Sequence, residues 1–191
     1  MQQSIKKIVI IGPESTGKST LSELLAAHYN TIWCEEYARE YLLTHGTNYS
    51  FDDLLTIAKG QVVLEDSCEL LVVSGQKTTN NSQLTPHNSP LLFIDTDMYV
   101  MKVWCEYVFG KCHDYIYEQI AQRKYDLYLL CNIDLPWVQD ELREYPDEAP
   151  RKELYAIYKN IMENQSVPWV DISGNYEERL QKAIEAVERI L

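Results

Sequence analysis

Residues Gly12-Pro13-Glu14-Ser15-Thr16-Gly17-Lys18-Ser19 carry the pattern G-x-x-x-x-G-K-[ST]. Glycines at both ends let the backbone curl so that successive amide N–H groups point at phosphate oxygens, and a helix opening near Lys18 adds its positive end. The spacing assigns Gly12, Glu14, Ser15, Thr16, Gly17, Lys18, Ser19 and Thr20 to the cradle of a nucleotide, ATP. Lys18 is placed to reach the β- and γ-phosphates, and the Ser19 hydroxyl to bind Mg²⁺. The context fits: the apolar run Ile8-Val9-Ile10-Ile11 directly precedes the loop, and Leu21, Leu24, Leu25 and Tyr29 recur at helical spacing after it.

A phosphate loop does not by itself separate a kinase from a GTPase switch or a motor ATPase. After the fourth apolar run the chain reads Cys131-Asn132-Ile133-Asp134-Leu135-Pro136, with none of the Asn-Lys-x-Asp signature of a GTPase. Acceptor-side chemistry is expected at Glu35-Glu36-Tyr37-Ala38-Arg39-Glu40, where Glu36, Arg39 and Glu40 share one helix face at i, i+3 and i+4. Ligands of open α/β sheets sit beyond the carboxyl ends of the strands, so Glu36 is placed to take a proton from an acceptor hydroxyl and Arg39 to stabilise transferring phosphate. Asp95 and Asp97 follow another apolar run. Asp95 is the choice for Mg²⁺, and Asp97 for the metal shell or the substrate hydroxyl. Residues 133–150 are charged and read as a lid, and Arg143 within it or Arg151 directly after it would neutralise phosphate charge in the closed state. Trp104 and Trp137 offer aromatic faces to a ligand.

Five short apolar strands must position these groups: Ile8 to Ile11, Thr31 to Cys34, Leu91 to Ile94, Tyr125 to Cys131 and Val167 to Ile172. Helices are predicted from Lys18 to Tyr29, Glu36 to Thr44, Ser50 (with Asp53 as a capping box) to Val72, Tyr99 to Phe109, His113 to Lys124, Arg151 to Asn164 and Tyr176 to Ile190. Strands alternating with helices call for a three-layer α/β fold, a five-stranded parallel sheet in the order 2-3-1-4-5 covered on both faces. The polar stretch from Ser74 to Pro90 reads as a surface loop within a single domain spanning residues 1–191.

The chain has 191 residues, of which 46% are hydrophobic and 24% charged, so a core can form without disulfides or a structural metal. Its formal net charge of -12 repels polyanionic duplexes and anionic membranes, which argues against nucleic acid and membrane partners. The five cysteines are scattered, with no C-x-x-C pair, as expected of reduced thiols in a cytoplasmic protein. No apolar stretch approaches the roughly 20 residues that span a bilayer, and nothing near Met1 reads as a signal peptide. Oligomeric state has no sequence signature here.

The phosphate loop through Thr20, Glu36-Tyr37-Ala38-Arg39-Glu40-Tyr41, Ile57-Ala58-Lys59-Gly60-Gln61, Phe93-Ile94-Asp95-Thr96-Asp97, and Asp134-Leu135-Pro136-Trp137 with Asp140 and Arg143 together resemble ribosylnicotinamide kinases. The chain is similar, over nearly its whole length, to the kinase domain of bifunctional bacterial NAD-biosynthesis proteins. That resemblance implies ATP-dependent phosphorylation of the ribose 5′-hydroxyl of nicotinamide riboside to nicotinamide mononucleotide. None of the four histidines forms the H-x-G-H motif of the adenylyltransferase domain of such proteins, so kinase activity alone is implied. The stretch from Ser74 to Pro90 departs from the pattern and bears on which acceptor is admitted. A pyridinium charge would be favoured by aromatic faces and carboxylates. The other readings are a kinase of another nucleoside or of a vitamin alcohol such as thiamine, and a non-catalytic ATP-dependent switch.

Overall fold

The computed structural model describes residues 5–74, 90–138, 142 and 147–191. Among these residues five parallel strands form one sheet: β1 (Lys6–Ile11), β2 (Ile32–Cys34), β3 (Leu91–Asp95), β4 (Leu127–Cys131) and β5 (Trp169–Ile172). Their order is β2-β3-β1-β4-β5, as the alternation of elements requires. Among the described residues seven helices accompany them: α1 (Lys18–His28), α2 (Tyr37–His45), α3 (Phe51–Ser74), α4 (Met98–Phe109), α5 (Asp114–Gln122), α6 (Glu148–Asn164) and α7 (Tyr176–Glu188). Among the described residues no helix is long and apolar enough to cross a membrane.

The central strands are apolar on both sides because both faces of the sheet are covered. Ile8 and Ile10 of β1 point to one layer, with Phe93, Leu127 and Leu129, against Leu21 and Leu25 of α1 and Ala183 and Val187 of α7. Val9 and Ile11 point to the other, with Ile94, Tyr128 and Leu130, against Cys68 of α3, Val100 and Val103 of α4, and Leu154 and Tyr158 of α6. A third apolar cluster lies away from the sheet, where Ala38 and Leu42 of α2 meet Leu54, Ile57 and Ala58 of α3 and Met98 and Met101 of α4. This cluster makes α2 part of a helical layer and leaves its first turn at the rim of the sheet.

Helix ends follow their local chemistry. Ser50 and Asp53 bond each other's amides and open α3 as a capping box, and Asn175 and Glu178 do the same for α7. The second helix begins at Tyr37, one residue later than its sequence pattern predicts, which leaves Glu36 as the residue entering it. Residues 75–89, almost all of the polar stretch, lie outside the described residues, as do 139–141 and 143–146 of the segment read as a lid.

Adjacent leucines of α1 test the layer assignment. Leu25 is fully buried whereas Leu24 is 37% exposed. Leu25→Ala should lower the unfolding free energy by about 2–5 kcal/mol and Leu24→Ala by about 0.5 kcal/mol or less, read as urea midpoints at unchanged slope.

Candidate functional site

The site is built at the carboxyl end of the sheet by strand register. Ile10 of β1 pairs with Asp95 of β3, so the loop leaving β1 and the acid ending β3 emerge side by side. The Thr96 amide donates to the Ile10 carbonyl at 3.2 Å and fastens the two strand ends together. Across this gap Ser19 Oγ donates to Asp95 Oδ2 at 2.5 Å. The two oxygens form a hard donor pair of the kind Mg²⁺ uses when phosphate and water complete its octahedron. No cluster of three or more His, Cys, Asp or Glu suited to a metal occurs among the described residues.

The loop between β1 and α1 has the backbone that the motif requires. Gly12 has φ +141, and a Cβ there would fall 2.7 Å from the Cys131 carbonyl oxygen of β4. Gly17 has φ +78 and is the N-cap of α1; with no side chain of its own it leaves the first helical amides facing the loop. Ser15 is left-handed too, at φ 55. Thr16, buried, donates its hydroxyl to the Pro13 carbonyl at 2.7 Å, and Lys18 Nζ donates to the same carbonyl at 3.1 Å. The lysine thus lies across the loop it would share with phosphates.

A residue far along the chain braces the loop. Arg179 of α7 is buried and donates Nη1 to the Thr16 carbonyl at 2.7 Å, Nη2 to the Asn132 carbonyl at 2.7 Å and Nε to the Gly174 carbonyl at 2.8 Å. It also pairs with the Asp134 carboxylate. The segment after β4 passes over the loop: Leu135 packs against Gly17, and the Val138 amide donates to Ser15 Oγ at 3.0 Å.

A cavity of about 760 Å³ opens from this loop. Gly12 through Thr20 line it with Asp95, which bonds to Ser19, and Glu35, Glu36, Arg39 and Glu40 line it with Trp33, Tyr37, Trp104, Tyr107 and Tyr158. Glu36 is half-buried, and its charge helps to raise the Asp95 carboxyl, which burial pushes up to about 7 against the pull of Lys18 and the Ser19 bond. A cation between the loop and Asp95 would reverse that balance and hold the carboxylate ionised. Arg39 and Glu40 lie on the exposed side of α2. Trp104 is held by a bond from its Nε1 to the Tyr49 hydroxyl at 2.9 Å, with the rings edge to face.

The remaining sequence candidates fall elsewhere. Asp97 is buried as the N-cap of α4, taking the Tyr99 amide at 2.9 Å and the Tyr128 hydroxyl at 2.8 Å. It is not among the cavity-lining residues, and the geometry gives it the capping duty rather than a place in the metal shell or at a substrate hydroxyl. Arg151 is buried in the first turn of α6 and does not line the cavity, whereas Leu154 and Tyr158 of the same helix do. Trp137 is half-buried in the segment crossing the loop and does not line the cavity either. Arg143 lies outside the described residues. Sequence patterns passed over Arg179, whose partners are remote in the chain, and Trp33 and Tyr158, which sit in ordinary core patterns.

Against known proteins, a family model described as an AAA domain matches residues 7–179. The curated relatives include the trifunctional NAD biosynthesis/regulator protein NadR of Escherichia coli, 26% identical over 98% of this chain and 43% of its own length. The Salmonella typhimurium protein of the same name is 25% identical over 98% of this chain and 43% of its own. The chain therefore spans less than half the length of these relatives. Among solved structures, a NadR protein in complex with NR superposes with a TM-score of 0.75 at 24% identity, covering 97% of this chain and 49% of that one. A NadR protein in complex with NAD and AMP-PNP gives 0.67 at 23% identity, over 97% of this chain and 49% of that one. Thymidylate kinase from Ehrlichia chaffeensis gives 0.64 at 13% identity, over 96% and 99% of the two chains. The fold is that of the P-loop kinases.

The capping role of Asp97 has a pH signature. Burial raises its carboxyl to about 7, opposed by its bonds from Tyr128 and the α4 amides. A carboxyl raised on folding binds its proton more tightly in the folded state, so stability contributed by the protonated form is complete below the ordinary carboxylate range and is lost as pH rises towards 7. Asp97→Asn, which keeps an N-cap acceptor, should remove this loss. The stability difference between variant and wild type should shift in the variant's favour by up to about 1.4 kcal/mol per pH unit between pH 5 and 7, measured by urea unfolding.

Proposed function

Starting from a chain that belongs to the AAA domain family, we propose that it transfers the γ-phosphoryl group of ATP to the ribose 5′-hydroxyl of nicotinamide riboside, giving nicotinamide mononucleotide. The observation that carries this reading is the single cavity that joins a complete phosphate loop to a wall of carboxylates and aromatic rings. NadR proteins crystallised with NR and with AMP-PNP share the fold over nearly the whole chain, which supports the same pair of ligands here. On this reading residues 1–191 act as one kinase domain, in the cytoplasm, on small molecules rather than nucleic acid.

The amides of Gly12 to Ser19 and the first turn of α1 hold the triphosphate, and Lys18 leaves the Pro13 carbonyl to reach the β- and γ-phosphates. Ser19 and Asp95 would hold Mg²⁺, which would neutralise phosphate charge when bound. Glu36, on the acceptor side of the cavity, accepts the proton of the 5′-hydroxyl as its oxygen bonds to the γ-phosphorus. The bond from that phosphorus to the bridging oxygen breaks, and ADP departs. Arg39 faces the same space and stabilises the equatorial oxygens during transfer. Glu35, Glu36 and Glu40 supply Coulomb attraction for a pyridinium ring, and the Trp and Tyr faces supply cation–π contact. The same wall suits another cationic heteroaromatic alcohol, and thiamine is the second reading.

ADP release against a panel of nucleosides and vitamin alcohols tests the assignment. Nicotinamide riboside should give the highest kcat/KM; strong stimulation by thiamine alone would transfer the function to that alcohol, and ATP binding without phosphorylated product would make the protein a switch. Lys18→Ala should abolish transfer. Glu36→Gln should lower kcat by about 10²–10⁴-fold while changing ATP affinity little, and near-normal turnover would remove the base assignment.

A further inference from the structure

The motif around Gly60 and Gln61 is left unused by the phosphate chemistry, and it lies against the turn that presents Glu36. Gln61 sits in the middle of α3 and is 1% exposed. Its Oε1 accepts the Tyr37 amide at 2.8 Å, and its Nε2 donates to the Glu35 carbonyl at 3.2 Å and to Cys34 Sγ at 3.5 Å. The side chain therefore holds the residues on either side of Glu36 through bonds that do not use the Glu36 carboxylate. Both halves of a buried amide must be paired to offset its desolvation, and here both partners belong to the one turn between β2 and α2.

Gly60 completes the seat. A Cβ at this position would stand 2.1 Å from Tyr37 Cε1 and 2.5 Å from its Cζ, so the tyrosine ring lies directly on the backbone of α3. That ring is part of the cavity wall. One turn further along α2, the Tyr41 hydroxyl donates to Asp53 Oδ1 at 2.6 Å. The helix carrying the acceptor-side residues is thus fixed to α3 at two points, of which the Gln61 clamp is the one beside the reacting groups.

We infer that Gln61 is a positioning residue, acting through Glu36 by fixing the Glu35–Tyr37 backbone so that the carboxylate meets the acceptor hydroxyl. The inference rests on the reading of Glu36 as the proton acceptor. Misplacing a reacting group by about 1 Å costs on the order of 10²-fold in rate, which a clamp of three bonds is suited to prevent.

A double-mutant cycle on the full chain separates positioning from general support of the fold. Gln61→Met keeps the volume and removes the polar clamp; Gln61→Asn keeps the amide and shortens its reach, and serves should the first variant unfold below the assay temperature in a circular-dichroism melt. Either should lower kcat by about 10- to 100-fold with the KM for ATP within about twofold of wild type. In a Glu36→Gln background the same substitution should cost about twofold or less, because its route to the chemistry has been removed. A loss in that background as large as in wild type, whatever the effect of Glu36→Gln alone, overturns the inference, as does full activity of both Gln61 variants. The cycle is run on whichever alcohol the wild type phosphorylates, so failure on nicotinamide riboside removes only the substrate assignment. A wild type that transfers to no alcohol overturns both.

Discussion

The pairing of β1 with β3 is the constraint from which the site follows. Parallel strands in register end at the same level, so Ile10 beside Asp95 delivers the start of the phosphate loop and the acid ending β3 to one point. A shift of one residue would turn the apolar side chains of β1 into the wrong layers and carry the loop away from Asp95. The full burial of Ile8 to Ile11 holds that register, and the bond between Ser19 and Asp95 is its chemical result. Core packing and site geometry are here the same requirement.

The acceptor side depends on a different kind of support. Glu36, the proposed proton acceptor, enters α2 from a three-residue edge strand, a weak base on its own. Its precision comes from α3, a 24-residue helix packed beneath it, and from the third apolar cluster that binds the two. The site is a meeting of a rigid sheet edge with a helical layer, and the cavity occupies the seam.

Much of this was legible in the sequence because the signals were local. The loop motif, the five apolar runs and their order required only nearby residues and the rules of right-handed crossover connections. Glu36 and Asp95 were expected at the site because acids at or just past strand ends face the ligand side of an open sheet, and both line the cavity. Asp97 was misleading for the same reason: an acid two residues past a strand also suits a helix N-cap, and only the Tyr128 hydroxyl, supplied from β4, shows which duty it has. Arg179 was illegible because its partners at Thr16, Asn132 and Asp134 are gathered by the fold and not by spacing. The net charge of -12 likewise concealed an anion site, since amides and a single lysine, rather than a basic patch, make the cradle.

The Arg179 brace also sets an order in time. The phosphate loop is synthesised before its support, because the guanidinium that fixes the Thr16 carbonyl lies 163 residues later. At translation rates of about 5–20 residues per second the loop waits on the order of 10 to 30 s for its support. Through that interval the loop is unbraced, so nucleotide meets a finished cradle only after α7 has docked.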